Sequence, residues 1–272
     1  MSFTPLLDLG FGVWAKAEFA NPTGSIKDRL VSFLLREAFE SGKLKKGMTV
    51  TEATSGNTGI SLAYFSARFG LKAKIFMPSS ASVERRKIIR MLGAELELTD
   101  SRNEATEKAI GFGSRKGVFY LNQFESESNP LAHYHGTGAE ILEQFPKKID
   151  SFVVGIGTGG TLYGTGKRLK EKWPKIKIIG VLPAEKENLI EGLRAEYSAQ
   201  VIPSNFIDKI VKVKNKEALN GAKELIREKG ALAGISAGAN YFAAGKFGFG
   251  NTITVLPDSW DRYYSTSLFD NN

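Results

Sequence analysis

Residues 151–182, SFVVGIGTGGTLYGTGKRLKEKWPKIKIIGVL, contain the pattern that decides the fold class. Two short apolar runs, Ser151–Ile156 and Lys177–Leu182, have the length and composition of strands that are buried on both faces. The segment between them, Thr161–Trp173, carries apolar residues at helical spacing. A strand, a helix and a second strand in this order predict two parallel strands joined by a crossover helix.

The same alternation extends over most of the chain, which predicts an α/β protein with parallel sheets. Further strands are predicted at Gly47–Ala53, Lys72–Met77, Glu95–Thr99, Ala231–Ile235 and Thr252–Leu256. Further helices are predicted at Asp28–Ser41, Thr58–Phe69, Ser82–Leu92, Leu131–Phe145 and Lys216–Lys229.

The composition excludes several classes of protein. The chain has 272 residues, of which 42% are hydrophobic and 24% are charged, as in globular domains. No apolar stretch reaches the roughly 18 residues of a spanning helix, and the N-terminus has no pattern typical of an export signal. The absence of cysteine excludes disulfides, thiolate metal sites and a cysteine nucleophile. The net charge of +8 fits either a solvated basic surface or anionic partners.

A lysine stands where a helix is predicted to begin, in the stretch NPTGSIKDR at residues 21–29. Ser25 followed by Asp28 is a spacing typical of a helix start, so Lys27 falls in the first turn. A cation there opposes the helix dipole, which disfavours the ammonium form and lowers the pKa of the amine. A Schiff-base lysine needs such a neutral amine, although a solvated lysine at a helix start fits the same pattern.

Two polar, glycine-rich turns follow predicted strands and lead into predicted helices. The first, TSGNTG at residues 54–59, suits a carboxylate or a phosphate, and equally an ordinary helix cap. The second, Gly155–Thr161, contains G-x-G-x-x-G, and Glu185 lies near the end of the next strand, as in a dinucleotide site. Its threonines favour a phosphate monoester, because their hydroxyls add partners for the extra phosphate oxygens. We interpret it first as a phosphate cup, then as a dinucleotide site, and last as close packing.

The stretch GISAG at residues 234–238 matches G-x-S-x-G, the pattern of a hydrolase nucleophile. That chemistry needs a histidine later in the chain, and both histidines, His133 and His135, precede it. Side chains two residues apart on a helix point in different directions, so the pair is also a poor metal site. Ser236 is then either a helix cap or a hydrogen-bond partner for a bound ring, and no metal is predicted.

Together these motifs resemble the fold-type II pyridoxal-phosphate enzymes, and most closely the family of cysteine synthase and cystathionine β-synthase. The resemblance covers nearly the whole chain. It implies two three-layer α/β/α domains with mostly parallel, twisted sheets and the cofactor in the cleft between them. Residues 21–129 would form a smaller, mobile domain, and residues 1–20 with 130–272 a larger one. The resemblance rests on Thr4-Pro5-Leu6, residues 21–29 and 54–59, Met77-Pro78 with residues 84–87, Gly93-Ala94-Glu95, Asn122-Gln123-Phe124, residues 157–161 and 234–238, and Pro257-Asp258 with Arg262-Tyr263.

The resemblance also implies a role for each motif. Lys27 would be the catalytic residue, forming the Schiff base with pyridoxal phosphate and then acting as the general base. The ring of the cofactor would contact Asn57 and Ser236. Arg194 aligns with an arginine that recognises phosphate in users of O-phosphoserine, although a surface arginine fits the position equally. The phosphate of the cofactor would bind Gly157, Thr158, Gly159, Gly160 and Thr161, and the substrate carboxylate would bind Thr54, Ser55, Gly56, Thr58 and Gln123.

The implied reaction replaces the β-substituent of O-acetylserine or O-phosphoserine with sulfide to give L-cysteine, in a cytoplasmic homodimer. A serine or threonine dehydratase and a threonine synthase share these motifs. Outside enzymes, a nucleotide-binding module would use residues 155–160 without catalysis. A nucleic-acid binder is not favoured, because basic and aromatic residues are not interleaved. We predict neither a nucleic acid nor a membrane as a partner.

Overall fold

The computed structural model describes residues 3–194 and 201–270, which divide into two compact units. The smaller unit consists of Lys27–Gln123 together with Arg262–Ser265. The larger unit contains the residues up to Ile26, Phe124–Asp261 and the residues from Thr266 onward.

Strands and helices alternate along most of the chain. Short 3₁₀ turns lie at Glu18–Ala20 and Trp260–Tyr263, and a π-helical turn lies at Tyr134–Gly138. The other elements, in chain order, are β1 (Leu6–Gly10), β2 (Val13–Ala17), α1 (Lys27–Glu40), β3 (Thr49–Ala53), α2 (Asn57–Phe69), β4 (Lys72–Pro78), α3 (Val83–Met91), β5 (Glu95–Thr99), α4 (Arg102–Gly113), β6 (Val118–Tyr120), α5 (Ser128–His133), α6 (Ala139–Gln144), β7 (Ser151–Gly155), α7 (Gly160–Lys172), β8 (Lys177–Pro183), β9 (Lys209–Val213), α8 (Asn215–Arg227), α9 (Ile235–Phe247) and β10 (Thr252–Leu256).

The smaller unit is built on a four-stranded parallel sheet with the order β5-β4-β3-β6. Leu30 and Leu35 of α1 and Ile60 of α2 pack with Val50 and Ile75 of the sheet in one buried core. The chain moves outward from β3 to β4 and β5, and then returns to the other side of β3 to form β6. The strand order therefore reverses between β3 and β6.

The larger unit contains a six-stranded sheet with the order β1-β2-β10-β7-β8-β9. The hairpin of β1 and β2 is antiparallel, and all other neighbouring strands are parallel. Phe152, Val154, Ile178, Ile253 and Val255 lie in its buried core. The chain moves from β7 to β8 and β9 and then returns to form β10 on the other side of β7, so this sheet also has a reversal point.

Each reversal point lies beside one of the glycine-rich turns. In open α/β sheets, ligands bind outside the carboxyl ends of the strands where the order reverses. Residues 54–56 directly follow β3, and residues 156–159 directly follow β7. In both units the fold therefore places the polar turn that the sequence analysis selected where a ligand site is expected.

The predicted α/β class with mostly parallel sheets is confirmed, but the strand predicted at Ala231–Ile235 is wrong. Only Ala233 forms a bridge, with Ser259, and Ile235 already begins α9. The run is apolar because Ala231, Ala233 and Ile235 are buried where the chain enters α9. A short buried run of this kind cannot be distinguished from a strand by its composition.

Over residues 3–194 and 201–270, no helix combines the length and the apolar character that crossing a membrane requires.

Candidate active site

Lys27 is the first residue of α1, one residue before the predicted start of the helix. Its side chain is half-buried, and the next residue, Asp28, is completely buried. Asp28 accepts a hydrogen bond of 2.6 Å from Ser61 Oγ of α2. Ser25 lies outside the helix and pairs with Asp258 in a β-bridge. Lys27 therefore lies in the first turn of α1, as predicted, and α1 is tied to α2 at that turn.

The carboxylate loop, residues 54–59, joins β3 to the N-terminus of α2. Thr54 Oγ1 accepts a hydrogen bond of 3.1 Å from the Gly56 N–H, which folds the loop back on itself. Thr58 Oγ1 donates a hydrogen bond of 2.7 Å to Gln123 Oε1, and both side chains are buried. The structure thus brings together two predicted substrate-binding residues that are 65 positions apart in the chain. Because a helix N-terminus attracts anions, this arrangement suits a carboxylate.

A buried carboxyl group, Glu52, lies at the base of the carboxylate loop. Its side chain is only 1% exposed. Glu52 Oε1 accepts a hydrogen bond of 2.8 Å from the Ala53 N–H, and Oε2 accepts one of 3.1 Å from the Gln123 N–H. Burial raises the pKa of Glu52 from 4.5 to about 7, although the two backbone bonds act in the opposite direction. Glu52 therefore holds the backbone of Gln123 beside the loop.

The raised pKa of Glu52 predicts a loss of stability as the pH rises. Between its unfolded pKa of 4.5 and its folded pKa of about 7, the folded chain binds a proton that the unfolded chain has released. The free energy of unfolding should therefore fall with pH in this window, by about 2 kcal/mol between pH 5.5 and pH 8. Urea unfolding of the wild type and of Glu52→Gln at both pH values measures this. The variant should lack that part of the decrease, and parallel decreases in the two proteins would contradict the assignment.

The phosphate cup, residues 157–161, follows β7 and leads into α7. Gly159 has φ of +88°, a left-handed conformation that glycine adopts without strain. A Cβ atom on Gly157 would lie 2.1 Å from the carbonyl oxygen of Gly192. The Tyr163 N–H bonds to the Gly159 carbonyl at 3.0 Å, and the N–H groups of residues 160–162 precede it in the first turn of the helix. Such N–H groups at a helix start form an anion site.

Both threonine hydroxyls of the phosphate cup contact α5. Asn129 Nδ2 donates a hydrogen bond of 2.9 Å to Thr158 Oγ1. His133 Nε2 lies 3.3 Å from Thr161 Oγ1. The two hydroxyl oxygens therefore have fixed positions within the larger unit.

Ser236 and Arg194 also belong to the larger unit. The N-cap of α9 is Gly234, so Ser236 lies inside the first turn and is not the helix cap, which removes one of the two interpretations left open by the sequence. The Arg194 N–H donates to the Ile156 carbonyl at 3.2 Å, directly before the phosphate cup. The Arg194 guanidinium lies 4.3 Å from the centroid of the Phe124 ring.

The two histidines differ in their environment, as their spacing predicted. His133 is 3% exposed, whereas His135 is exposed at the surface. In the described part of the chain, no group of three or more His, Cys, Asp or Glu side chains is arranged to hold a metal ion.

Three residues that were not predicted as site residues contact predicted ones: Glu52, Asn129 and His133. A signal for each was available. Glu52 is a charged residue inside the strand predicted at Gly47–Ala53. Asn129 and His133 are polar residues four positions apart, and therefore lie on one face of a helix.

Comparison with known proteins identifies the family of this chain. A family model described as "Pyridoxal-phosphate dependent enzyme" matches residues 2–258. The chain is 43% identical over 286 residues to cysteine synthase B of Campylobacter jejuni, with 98% of this chain and 95% of that protein covered. It is 41% identical over 275 residues to a cysteine synthase of Staphylococcus aureus, with 94% and 89% covered.

A solved structure is similar over nearly the whole chain. The O-acetylserine dependent cystathionine beta-synthase from Helicobacter pylori superposes with a TM-score of 0.93 at 32% identity, with 99% of this chain and 96% of that chain covered. The chain therefore belongs to the pyridoxal-phosphate dependent enzymes, in the branch that contains the cysteine synthases and their cystathionine β-synthase relatives.

Proposed function

We propose that this protein is a pyridoxal-phosphate-dependent cysteine synthase that replaces the β-substituent of O-acetylserine or O-phosphoserine with sulfide. The observation that carries the proposal is the phosphate cup, which combines helix N–H groups with two positioned hydroxyls beside the reversal point of its sheet. The relatives of the chain, which include cysteine synthases at 41% and 43% identity, support the same reaction.

The residues present fit pyridoxal phosphate. The phosphate cup offers a phosphate monoester the N–H groups at the start of α7 and the hydroxyls of Thr158 and Thr161, and Gly159 turns the backbone between them. We propose that Gly157, Thr158, Gly159, Gly160 and Thr161 bind the phosphate. Asn57, at the start of α2, would contact the ring hydroxyl, and Ser236, in the first turn of α9, would contact the pyridine nitrogen.

Lys27 would hold the cofactor covalently and would then move the proton of the reaction. When bound, pyridoxal phosphate supplies an electron sink that stabilises negative charge at the α-carbon of the amino acid. Lys27 Nζ would remove the α-proton of the substrate as the general base. Ser236 carries a neutral hydroxyl, which would not keep the ring nitrogen protonated.

The carboxylate loop would bind the substrate and exclude water. We propose that Thr54, Ser55, Gly56 and Thr58 contact the substrate carboxylate together with Gln123, whose amide oxygen is held by Thr58. An amino acid bound there would be oriented by N–H groups and hydroxyls at the start of α2. Closure of the loop over the bound amino acid would exclude water from the site.

The assembly and location follow only from the family resemblance. On that ground we propose a homodimer in the cytoplasm. Light scattering of the purified protein and fractionation of the source cells test these two statements.

Product analysis tests the function against its alternatives. The loaded enzyme, mixed with sulfide and either O-acetylserine or O-phosphoserine, should form L-cysteine faster than it releases a keto acid from serine or threonine. Keto-acid release without cysteine formation would instead indicate a dehydratase. Replacement of sulfide by homocysteine measures the competing formation of cystathionine. A preference for homocysteine would overturn the proposal that sulfide is the nucleophile.

Arg194 is proposed to select the phosphate of O-phosphoserine, because a guanidinium can make two charged hydrogen bonds to a phosphate. Arg194→Ala should lower kcat/KM for O-phosphoserine by about 100-fold and leave that for O-acetylserine within about threefold. Steady-state kinetics with both substrates measure this difference. Lys186→Ala removes an exposed positive charge from the same part of the chain and serves as the control. Unchanged turnover of O-phosphoserine by Arg194→Ala would refute the role.

A further inference from the structure

Helix α5 lies in backbone contact with α7 beside the phosphate cup. A Cβ atom on Gly164 would lie 2.0 Å from the Pro130 carbonyl oxygen, and one on Gly160 would lie 1.9 Å from Asn129 Oδ1. Only glycine permits this approach, because real Cβ atoms do not come so close to other atoms. The side chains of α5 therefore reach into the first turn of α7.

Helix α5 and the π-helical turn that follows it carry a row of polar side chains at a spacing of four residues. Asn129, His133 and Thr137 are all buried, with 0%, 3% and 0% of their surfaces exposed. Asn129 donates to Thr158 Oγ1 at 2.9 Å, His133 Nε2 lies 3.3 Å from Thr161 Oγ1, and His133 Nδ1 lies 3.2 Å from Thr137 Oγ1. Thr137 belongs to the π-helical turn that follows α5, a form of backbone frequently found at functional sites.

The direction of the hydrogen bond between Asn129 and Thr158 leaves the hydroxyl proton of Thr158 available. The amide NH₂ group of Asn129 can only donate, so Thr158 Oγ1 accepts, and its own hydroxyl proton can be given to another acceptor. A phosphate dianion in the cup would be such an acceptor.

The tautomer of His133 decides whether the hydroxyl proton of Thr161 is available in the same way. If the Thr137 hydroxyl donates to Nδ1, the ring carries its proton on Nε2 and donates it to Thr161 Oγ1. The hydroxyl proton of Thr161 is then also available for a phosphate. In the opposite tautomer, Nε2 would accept a hydrogen bond from the Thr161 hydroxyl. That hydroxyl would then have no proton left to donate to the anion.

We propose that Asn129 and His133 are positioning residues of the phosphate cup, which hold the oxygens of Thr158 and Thr161 so that both hydroxyls donate to the 5′-phosphate of the cofactor. The inference rests on the proposed function, since it requires pyridoxal phosphate in the cup. It adds two residues that act through Thr158 and Thr161 and a defined tautomer for His133.

Equilibrium binding of two cofactor forms tests the proposal. Apoenzyme is titrated with pyridoxal phosphate and, separately, with pyridoxal, which has the same ring and aldehyde but no phosphate, and absorbance reports binding. Asn129→Asp places an acceptor with a negative charge against Thr158 and should weaken binding of pyridoxal phosphate about 100-fold, and His133→Leu should weaken it about 10-fold. Binding of pyridoxal should change less than threefold in both variants.

Conservative and control variants separate positioning from general damage. His133→Gln retains a donor that reaches the place of Nε2 and should recover binding of pyridoxal phosphate to within about threefold of the wild type. His135→Leu alters the exposed histidine two residues further on and should change nothing. If His133→Leu fails to fold, Thr137→Val, which removes the partner of Nδ1 at constant volume, should still weaken binding of pyridoxal phosphate several-fold.

The outcomes distinguish this inference from the proposed function. A wild type that binds no pyridoxal phosphate would overturn both. A wild type that binds it, with Asn129→Asp binding equally well, would overturn the inference alone. Equal losses for pyridoxal phosphate and pyridoxal would also overturn it, because they would indicate general damage to the protein.

Discussion

Lys27→Ala is expected to lower kcat for cysteine formation by at least about 10³-fold, since the proposed mechanism assigns both the covalent attachment and the general base to this residue. Lys27 begins α1, and the Asp28–Ser61 hydrogen bond that ties this turn to α2 does not involve its side chain. The variant should therefore keep its fold, as checked by circular dichroism, while losing the absorbance band of a lysine-bound cofactor.

The control for Lys27 is another lysine of the same unit. Lys43 is exposed after the end of α1, and Lys43→Ala should retain the activity and the absorbance band of the wild type. Added amines that are small enough to enter the site should partly restore activity to Lys27→Ala by replacing the missing base. Substantial cysteine formation by Lys27→Ala without any added amine would contradict the assigned role.

Gly157→Ala is expected to weaken binding of pyridoxal phosphate by about 100-fold. The new Cβ atom would lie 2.1 Å from the Gly192 carbonyl oxygen, so one of two backbone segments must move. A displacement of about 1 Å in a group that positions a ligand can cost a factor of 10². Absorbance titration of the apoenzyme with pyridoxal phosphate gives the dissociation constant.

Gly245→Ala provides the matched comparison for Gly157→Ala. Gly245 lies in α9 of the same unit, and a Cβ atom there would have no neighbour within 4 Å. Alanine also favours a helix over glycine, so this variant should bind the cofactor normally and be slightly more stable. Normal binding of pyridoxal phosphate by Gly157→Ala would show that the phosphate lies elsewhere.

The fold class was predictable because the buried parallel strands leave a clear pattern. Strands β7 and β8 are mostly apolar and lie inside the sheet. For this reason the segment 151–182 indicated the fold class. Strand β9 was missed because it lies at the sheet edge and buries only Val211 and Val213. Helix α4 was missed because only Ala105 and Ala109 are buried, so it has no pronounced apolar stripe.

The candidate site could be recognised in the sequence where it consists of consecutive residues. The carboxylate loop and the phosphate cup consist of consecutive residues at strand ends, and glycines with hydroxyl residues mark them in the sequence. The Thr58–Gln123 and Thr158–Asn129 contacts were not predictable from local pattern, since their members are 65 and 29 positions apart. The raised pKa of Glu52 was also hidden, because it depends on burial that only the folded unit creates.

We propose Lys27 as the residue that is joined to the cofactor. Reduction of the loaded enzyme with borohydride converts a lysine–pyridoxal phosphate bond into a stable amine, which mass spectrometry of the digested protein can locate. We predict one phosphopyridoxyl group per chain, on the peptide that contains Lys27. A label on any other lysine, or an unlabelled Lys27 in fully loaded enzyme, would contradict the account.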